Sequence, residues 1–375
     1  MRIRTLTAKK ILDSRRKSTI QIFVNGASGA APSGTSKSKY EALDYPVSAG
    51  ESVKFINSKL KKQLIGSKFN DFSDFVEIEK KLPAIFGANP TIALEFAILN
   101  AWAKDKHLPL WKLLNPKAKT MPRLLANVVG GGAHAIPAMK GVQEILVSPR
   151  ENSLAADVAE ARRIHKEIGK KLRAKHKDLE NAWVTKQPVH KVLRLLSEIA
   201  GQAQIGCDFA ASTIYAHNEY HWREFGALKA DKQLELLAKL AYEFNLFYLE
   251  DPFQQNAVSD FAKLSRKLKY CLICGDDLVA TDPERLQKAA NERAINAVII
   301  KPNQCGSLIK TKEVFDYAVK KGIAPIISHR SGETLDATIA QLAFAWQAPF
   351  VKFGIAGKER LAKLNELIKI EKEIS

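Results

Sequence analysis

The sequence contains no apolar run long enough to span a bilayer, and its first residues, MRIRTLTAKKILDS, lack the apolar stretch of a signal peptide. These absences predict a soluble, cytoplasmic protein without a membrane partner.

Acidic residues are also scarce, since 40 Asp and Glu stand against 58 Lys and Arg, which gives a net charge of +18. This balance predicts attraction to anions and leaves open a phosphorylated substrate, a nucleic acid or a lysine-rich surface. The basic runs lack interleaved aromatic residues, which favours solvated helix faces over a nucleic-acid site.

Cysteine is rare, and all four cysteines lie in the second half of the chain. Cys271 and Cys274 form a C-x-x-C pattern inside the apolar run YCLICG. Positions three apart on a strand face opposite sides, so the pattern favours buried reduced thiols over a zinc site or a redox pair.

A chain of 375 residues favours two domains. The first part has mixed α+β character: TIQIFV alternates as a strand does, and Val53, Ile56, Leu60 and Leu64 share one helical face. The stretch NPKAKTMPRLL has no periodicity, so we predict an N-terminal α+β domain over residues 1–118 and a second domain over 119–375.

The second domain alternates short apolar runs with amphipathic helices, the pattern of a parallel sheet with crossover helices. The runs are AQIGCD, LFYLED, YCLICGDD, INAVIIKPNQ, IAPIISHRS and PFVKFG. Each carries a charged or polar residue at its end, namely Asp208, Glu250, Asp276, Lys301, His329 and Lys352. Six such units favour a closed (βα) barrel over an open sheet, because a barrel gathers the ends of many strands at one mouth.

Three carboxylates at one barrel mouth repel one another unless a hard cation neutralises them, and such oxygen ligands select magnesium. Asp208, Glu250 and Asp276 are therefore candidate Mg²⁺ ligands. Lys301 and Lys352 lie on later strands, and a lysine beside a metal and a second cation holds its proton less tightly, as a general base requires. The set predicts abstraction of a proton beside a carboxylate. The alternative is that each residue forms a structural salt bridge at a polar strand end.

Short motifs are spread over nearly the whole chain. Up to residue 144 they are ILDSR, APSGTS, YEAL, GANP, GGAHA and QE. Beyond it they are CDFAAS, EDPF, GDDL, KPNQCGS, SHRSGET and KFG with ERLAKLNEL. In this order the chain resembles the enolases, the phosphopyruvate hydratases of glycolysis. The resemblance implies an α/β fold with an enolase-type (βα)8 barrel at the C-terminus and an N-terminal α+β capping domain. It also implies a homodimer or larger homo-oligomer.

The resemblance further implies that a lyase dehydrates 2-phosphoglycerate to phosphoenolpyruvate with Mg²⁺ held by Asp208, Glu250 and Asp276. Lys301 would remove the α-proton, and Lys352 would stabilise the resulting dianion. The family also implies that Arg330 and Ser331 bind the phosphate and that His134 and His329 line the pocket. Ser36 would bind the substrate and a second magnesium, and Glu144 would act near the departing hydroxyl.

The sequence departs from the family in its closing loops. The family's general acid stands in a D-E-G-G-F-A-P string, whereas this chain reads KDLENAWVTKQP. Aligning Trp183 with the family's aromatic residue places Glu180 at the acid, with Asn181 and Ala182 in place of two glycines. The alternative is that Glu180 is a solvated loop residue. Lys37 and Ser38 likewise replace the Thr-Gly that follows the family's serine at Ser36.

These departures keep two further functions open. One is a divergent paralogue that acts on another 2-substituted carboxylate or catalyses little. The other is a basic protein that binds RNA or another polyanion, whose affinity would fall steeply with salt.

Overall fold

The computed structural model of this chain describes residues 1–35, 37–83, 86–132 and 141–375. Within these ranges, every helix is too short or too polar to cross a lipid bilayer. Ser36 and His134, two of the predicted site residues, lie outside the described residues.

The N-terminal part begins with an antiparallel sheet of three strands. They are Leu6–Leu12 (β1), Ser18–Val24 (β2) and Ala27–Ala30 (β3). The predicted strand TIQIFV forms most of β2, whose alternate residues Ile20, Ile22 and Val24 are fully buried.

Helices cover the other side of this part. They are Ala49–Phe55 (α1), Lys61–Leu64 (α2), Phe75–Glu79 (α3), Ala88–Lys106 (α4) and Leu110–Leu114 (α5), with a π-turn at Ile56–Leu60 and a 3₁₀ turn at Phe72–Asp74. Helix α4 packs closely on β3, because Gly29 has no side chain: a methyl group there would overlap the α4 backbone at Ala93 and Ala97. Ile56, Leu60 and Leu64 are buried on one face as predicted, with Val53 partly buried.

A closed barrel of eight strands forms the second part of the described chain. Its strands are Arg123–Gly130 (β4), Glu144–Ser148 (β5), Gln204–Asp208 (β8), Tyr248–Glu250 (β12), Leu272–Gly275 (β13), Ala297–Ile300 (β14), Ala324–Ser328 (β15) and Phe350–Lys352 (β16). The ring closes where β16 pairs in parallel with β4. The predicted barrel with an α+β domain before it is therefore confirmed.

One strand runs against the rest. Strand β5 is antiparallel to both β4 and β8, whereas the other barrel pairs are parallel. No sequence pattern indicated this reversal. Its consequence is that β5 begins at the barrel mouth, where the parallel strands end, so Glu144 at its start lies beside Asp208 at the end of β8.

The remaining elements surround the barrel or extend from it. The short strands are His176–Lys177 (β6), Trp183–Val184 (β7), Tyr215–Ala216 (β9), Glu219–Trp222 (β10) and Gly226–Leu228 (β11). The helices are Leu154–Lys171 (α6), Val189–Ile199 (α7), Ala230–Glu243 (α8), Val258–Lys267 (α9), Pro283–Asn291 (α10), Pro302–Cys305 (α11), Leu308–Lys320 (α12), Thr338–Ala345 (α13) and Lys358–Ile374 (α14), with a 3₁₀ turn at Ala211–Ile214.

Helix α14 docks as predicted, with Leu364 and Leu367 fully buried and Leu361 and Ile368 partly buried against the core. A separate apolar cluster that includes Leu146 of β5 fills the barrel below its mouth. The boundary predicted at residues 118–119 falls between α5 and β4 and stays a prediction.

The N-terminal part reaches the barrel mouth directly. Ser33 and Gly332 exchange backbone hydrogen bonds of 2.8 and 2.9 Å, so the segment after β3 lies against the loop that follows β15. Residues of the first part therefore border the site described next.

Candidate active site

The strand ends place charged side chains around one small cavity. Asp208 and Glu250 end the neighbouring strands β8 and β12 and lie opposite each other in the register. Asp276 and Lys301 directly follow β13 and β14, and Lys352 ends β16. The structure thus brings together the five charged side chains that the strand pattern predicted. A cavity of about 30 Å³ is lined by Gly34, Gln143, Glu144, Glu180, Asp208, Asp276, Lys301, Ser328, His329, Arg330, Ser331 and Lys352.

Lys352 lies among three buried carboxylates. Its Nζ is 2.7 Å from Glu250 Oε2, 2.9 Å from Glu144 Oε2 and 3.1 Å from Asp208 Oδ2. Burial acts to lower the pKa of this amino group, but the three negative charges outweigh it and raise the pKa well above its usual value. Lys352 is therefore an ammonium ion that offsets part of the carboxylate charge.

Glu250 has the features of a cation ligand. Its Oε2 accepts hydrogen bonds from Lys352 and, at 2.6 Å, from Tyr248 Oη. Its Oε1 is buried and accepts no hydrogen bond from any described residue. Burial, followed by the charge of Asp208, raises the pKa of Glu250 to about 7. A buried Glu250 oxygen without a donor, beside the carboxylate of Asp208, suits a hard divalent cation such as magnesium.

Another acidic group lies next to this set. One oxygen each of Asp251, Asp276 and Asp277 lie within 4.8 Å of one another. The Asp251 carboxylate, however, accepts backbone hydrogen bonds from Asp276 at 3.0 Å and from Asp277 at 2.7 Å. Asp251 therefore orients the loop that carries Asp276.

Lys301 is paired with Asp276. Lys301 Nζ donates a short hydrogen bond to Asp276 Oδ2, and Gln304 Nε2 donates one of 2.9 Å to Asp276 Oδ1. Burial and the charges of Arg330 and Lys352 act to lower the pKa of Lys301, but Asp276 outweighs them and the pKa is raised. The protein groups alone therefore shift this pKa upward, and the lowering predicted from the sequence depends on the metal.

Glu180 is buried, not solvated. Its side chain is 4% exposed, and its Oε2 lies 3.1 Å from His329 Nε2. His329 Nδ1 accepts a hydrogen bond of 3.3 Å from the backbone of Gly354, which places the imidazole proton on Nε2, facing Glu180. Burial lowers the pKa of His329, so the ring is neutral and donates to the carboxylate.

The loop that carries Glu180 compensates for its missing glycines. Asn181 adopts a left-handed conformation with φ of 66°, which asparagine tolerates better than most residues. His165 Nε2 lies 2.9 Å from the Asn181 carbonyl oxygen, and Trp183 Nε1 donates to the His165 carbonyl. Helix α6 therefore holds this loop in place.

Arg330 and Ser331 lie on the loop that follows β15. Arg330 Nη2 donates a 2.8 Å hydrogen bond to Glu41, whereas Nη1 is buried and donates to no described residue. Ser331 Oγ is 2.8 Å from Thr35 Oγ1 and accepts from the Thr35 backbone. Arg330 also lies against Gly34, where a methyl group would overlap its guanidinium. A guanidinium with a spare buried donor can bind an anionic oxygen.

Glu144 reaches the site because of the reversed strand. Burial is the largest cause that raises its pKa well above the usual value, opposed by Lys352. Sequence reasoning gave no role to Glu41, Gln304 or Asp251. All three stood inside quoted motifs, YEAL, KPNQCGS and EDPF, which were the signal that could have identified them.

The cysteines behave as the sequence predicted. All four are free, and Cys271, just before β13, lies in a different apolar cluster from Cys274 within it. Burial raises the pKa of Cys271 to about 12, so its thiol is not a ready metal ligand.

Two family models match the chain. The model for the enolase C-terminal TIM barrel domain matches residues 196–375, and that for the enolase N-terminal domain matches residues 3–114. Curated proteins named enolase are also similar. That of Natronomonas pharaonis is 35% identical and covers 97% of this chain and 97% of its own length. The enolase of Methanosphaera stadtmanae is 34% identical and covers 99% of this chain and 97% of its own length. That of Thermoplasma acidophilum is 32% identical and covers 98% of each.

Proposed function

Since the chain belongs to the enolase family, we propose that it catalyses the magnesium-dependent dehydration of 2-phosphoglycerate to phosphoenolpyruvate. The observation that carries the proposal is the charged set at the barrel mouth. Asp208, Asp276, Lys301 and Arg330 with its spare donor line one cavity, and Glu250 lies beside it, linked to Asp208 through Lys352. A metal site, a base and an anion binder are the groups that this reaction needs.

The first step is removal of the substrate's α-proton. Lys301, unprotonated, accepts this proton, and the electrons of the C–H bond move toward the substrate carboxylate. Lys352, fixed as an ammonium ion, stabilises the negative charge that develops there. When bound to Asp208, Glu250 and Asp276, magnesium supplies further positive charge at the same carboxylate.

The second step is loss of the hydroxyl group from the neighbouring carbon. Glu180 in its protonated form donates a proton to this oxygen, which leaves as water while the carbon–carbon double bond forms. His329 donates a hydrogen bond from Nε2 to Glu180 Oε2 and thereby orients the Glu180 carboxyl group. We place Glu144 near the same hydroxyl. Arg330 and Ser331 bind the phosphate and orient the substrate between base and acid.

The cavity of about 30 Å³ holds only a few water molecules. Substrate binding therefore requires side chains at the mouth to move. Glu41 now pairs with Arg330, and Lys352 lies among the carboxylates. The substrate would replace Glu41 as the partner of Arg330, and the metal would replace Lys352 as the partner of the carboxylates.

The test is the rise in ultraviolet absorbance when purified protein is mixed with magnesium and 2-phosphoglycerate. The wild type should produce the enol phosphate, and Lys301→Ala should lower kcat by about 10²–10⁴-fold. Lys320→Ala, which removes an exposed lysine at the end of α12, should leave the rate unchanged. Wild-type protein without turnover at high concentration would reject the proposal, and turnover of a different 2-substituted carboxylate would reassign its substrate.

A further inference from the structure

Asp178 folds the loop that carries Glu180. Its Oδ1 accepts hydrogen bonds from the backbone amides of Glu180 at 2.8 Å and Ala182 at 2.9 Å. The backbone of Asp178 closes the same turn, because its amide donates to the Ala182 carbonyl and its carbonyl accepts from Asn181. The Asp178 side chain therefore fixes Glu180, at the candidate acid, and Ala182, while its backbone carbonyl holds Asn181.

The same side chain ties the turn to the barrel. Asp178 Oδ2 packs directly on Gly130 at the end of β4, where a methyl group would overlap it. Gly130 lies opposite Glu144 in the barrel register. Asp178 Oδ2 is buried and accepts no hydrogen bond within the described part of the chain, so packing against Gly130 sets its position.

The amides that Asp178 binds have little access to water. Glu180 is 5% exposed and Ala182 is fully buried. Without an acceptor these amides would have to turn toward solvent, and the turn would carry the Glu180 side chain with it. A shift of about 1 Å in a reacting group lowers rates by about 10²-fold.

We propose that Asp178 is a positioning residue that sets Glu180 for proton donation to the departing hydroxyl. This rests on the proposed function. Among the described residues, the Asp178 side chain accepts hydrogen bonds only from Glu180 and Ala182. It therefore acts on the second step of the reaction and not on removal of the α-proton.

The experiment separates the two steps. Exchange of the α-proton of 2-phosphoglycerate with deuterated solvent reports Lys301 and the metal site, whereas phosphoenolpyruvate formation also requires Glu180. Asp178→Ala should lower kcat for dehydration by about 10–100-fold with little change in KM, while exchange persists. Glu180→Gln should show the same pattern. Asp178→Asn keeps an oxygen acceptor for both amides and should restore most of the dehydration rate.

The matched control is Asp71→Ala, which removes an aspartate that accepts from the Ser73 backbone on the exposed 3₁₀ turn. It should leave both rates unchanged. If Asp178→Ala dehydrates like the wild type, or loses exchange and dehydration equally, Asp178 is not a positioning residue for Glu180. Wild-type protein that neither exchanges nor dehydrates would instead overturn the proposed function, and with it this inference.

Discussion

Lys352 Nζ donates a hydrogen bond of 2.7 Å to Glu250 Oε2 where both side chains are almost completely buried. A buried ion pair is costly to desolvate, but removal of one partner leaves the other charge uncompensated. At this site two more carboxylates, Glu144 and Asp208, depend on the same ammonium ion. Lys352 is therefore a main source of positive charge at the barrel mouth.

Lys352→Met should destabilise the protein strongly when metal is chelated, because it keeps the length of the side chain and removes its charge. We expect a loss of about 3–5 kcal/mol in the free energy of unfolding. Magnesium should restore more stability to this variant than to the wild type, since the ion supplies the missing charge. Denaturant unfolding with EDTA and with magnesium measures both effects.

The control for that measurement is Lys54→Met. Lys54 pairs with Glu51 on an exposed face of α1, so its loss should leave the free energy of unfolding nearly unchanged. Equal stabilities of Lys352→Met and the wild type in EDTA would show that the carboxylates do not rely on Lys352.

Magnesium binding should release protons below about pH 7. Burial raises the pKa of Glu250 from its ordinary value of 4.5 to about 7, so the folded chain binds more protons than the unfolded chain between these values. Without metal, this group's contribution to stability is therefore present below pH 4.5 and is lost as the pH rises through 7. Magnesium requires the ionised carboxylate, so its affinity should increase with pH up to about 7, by up to about tenfold per pH unit for one proton.

Isothermal titration calorimetry at pH 6 and pH 8, in buffers of different ionisation enthalpy, measures the protons released. We expect release at pH 6 and little at pH 8. Equal affinity at both values, with no buffer dependence at pH 6, would contradict the assignment of Glu250 as a ligand.

Gly34→Ala should impair binding of the substrate phosphate, because the added methyl group would overlap the guanidinium of Arg330. The φ of Gly34 is compatible with alanine, so the effect should be local. A displaced charged donor costs about 1.5–3 kcal/mol, which corresponds to a KM about 10–100-fold higher. Steady-state kinetics measure it.

Gly50→Ala is the matched control, since a methyl group there meets no atom closer than 3.7 Å and lies in the first turn of α1. Its KM should equal that of the wild type. If Gly34→Ala also leaves KM unchanged, Arg330 does not bind the phosphate in this position.

The sequence predicted the barrel and much of its charged mouth because parallel strands place their last residues at one edge. Asp208, Glu250, Asp276, Lys301 and Lys352 follow from that rule alone. The same rule marked His329, and the family motifs added Arg330 and Ser331, whose loop positions no periodicity could supply.

Other features could not be predicted because they depend on contacts distant in sequence. The reversal of β5 comes from its pairing with β4 and β8 and not from its own residues. Glu41 meets Arg330 only when the N-terminal part docks on the barrel. The burial of Glu180 likewise depends on His329, far along the chain. Such contacts are set by tertiary structure, whereas local patterns report strands and helices.

We expect Asp208, Glu250 and Asp276 to bind one divalent ion at the barrel mouth. Anomalous diffraction from crystals soaked in Mn²⁺ as a substitute for magnesium tests it most directly. We predict a peak within about 2.5 Å of one oxygen of each carboxylate, with Lys352 displaced from among them. A peak at Asp251 and Asp277 instead, or none near Glu250 at saturating Mn²⁺, would contradict the account.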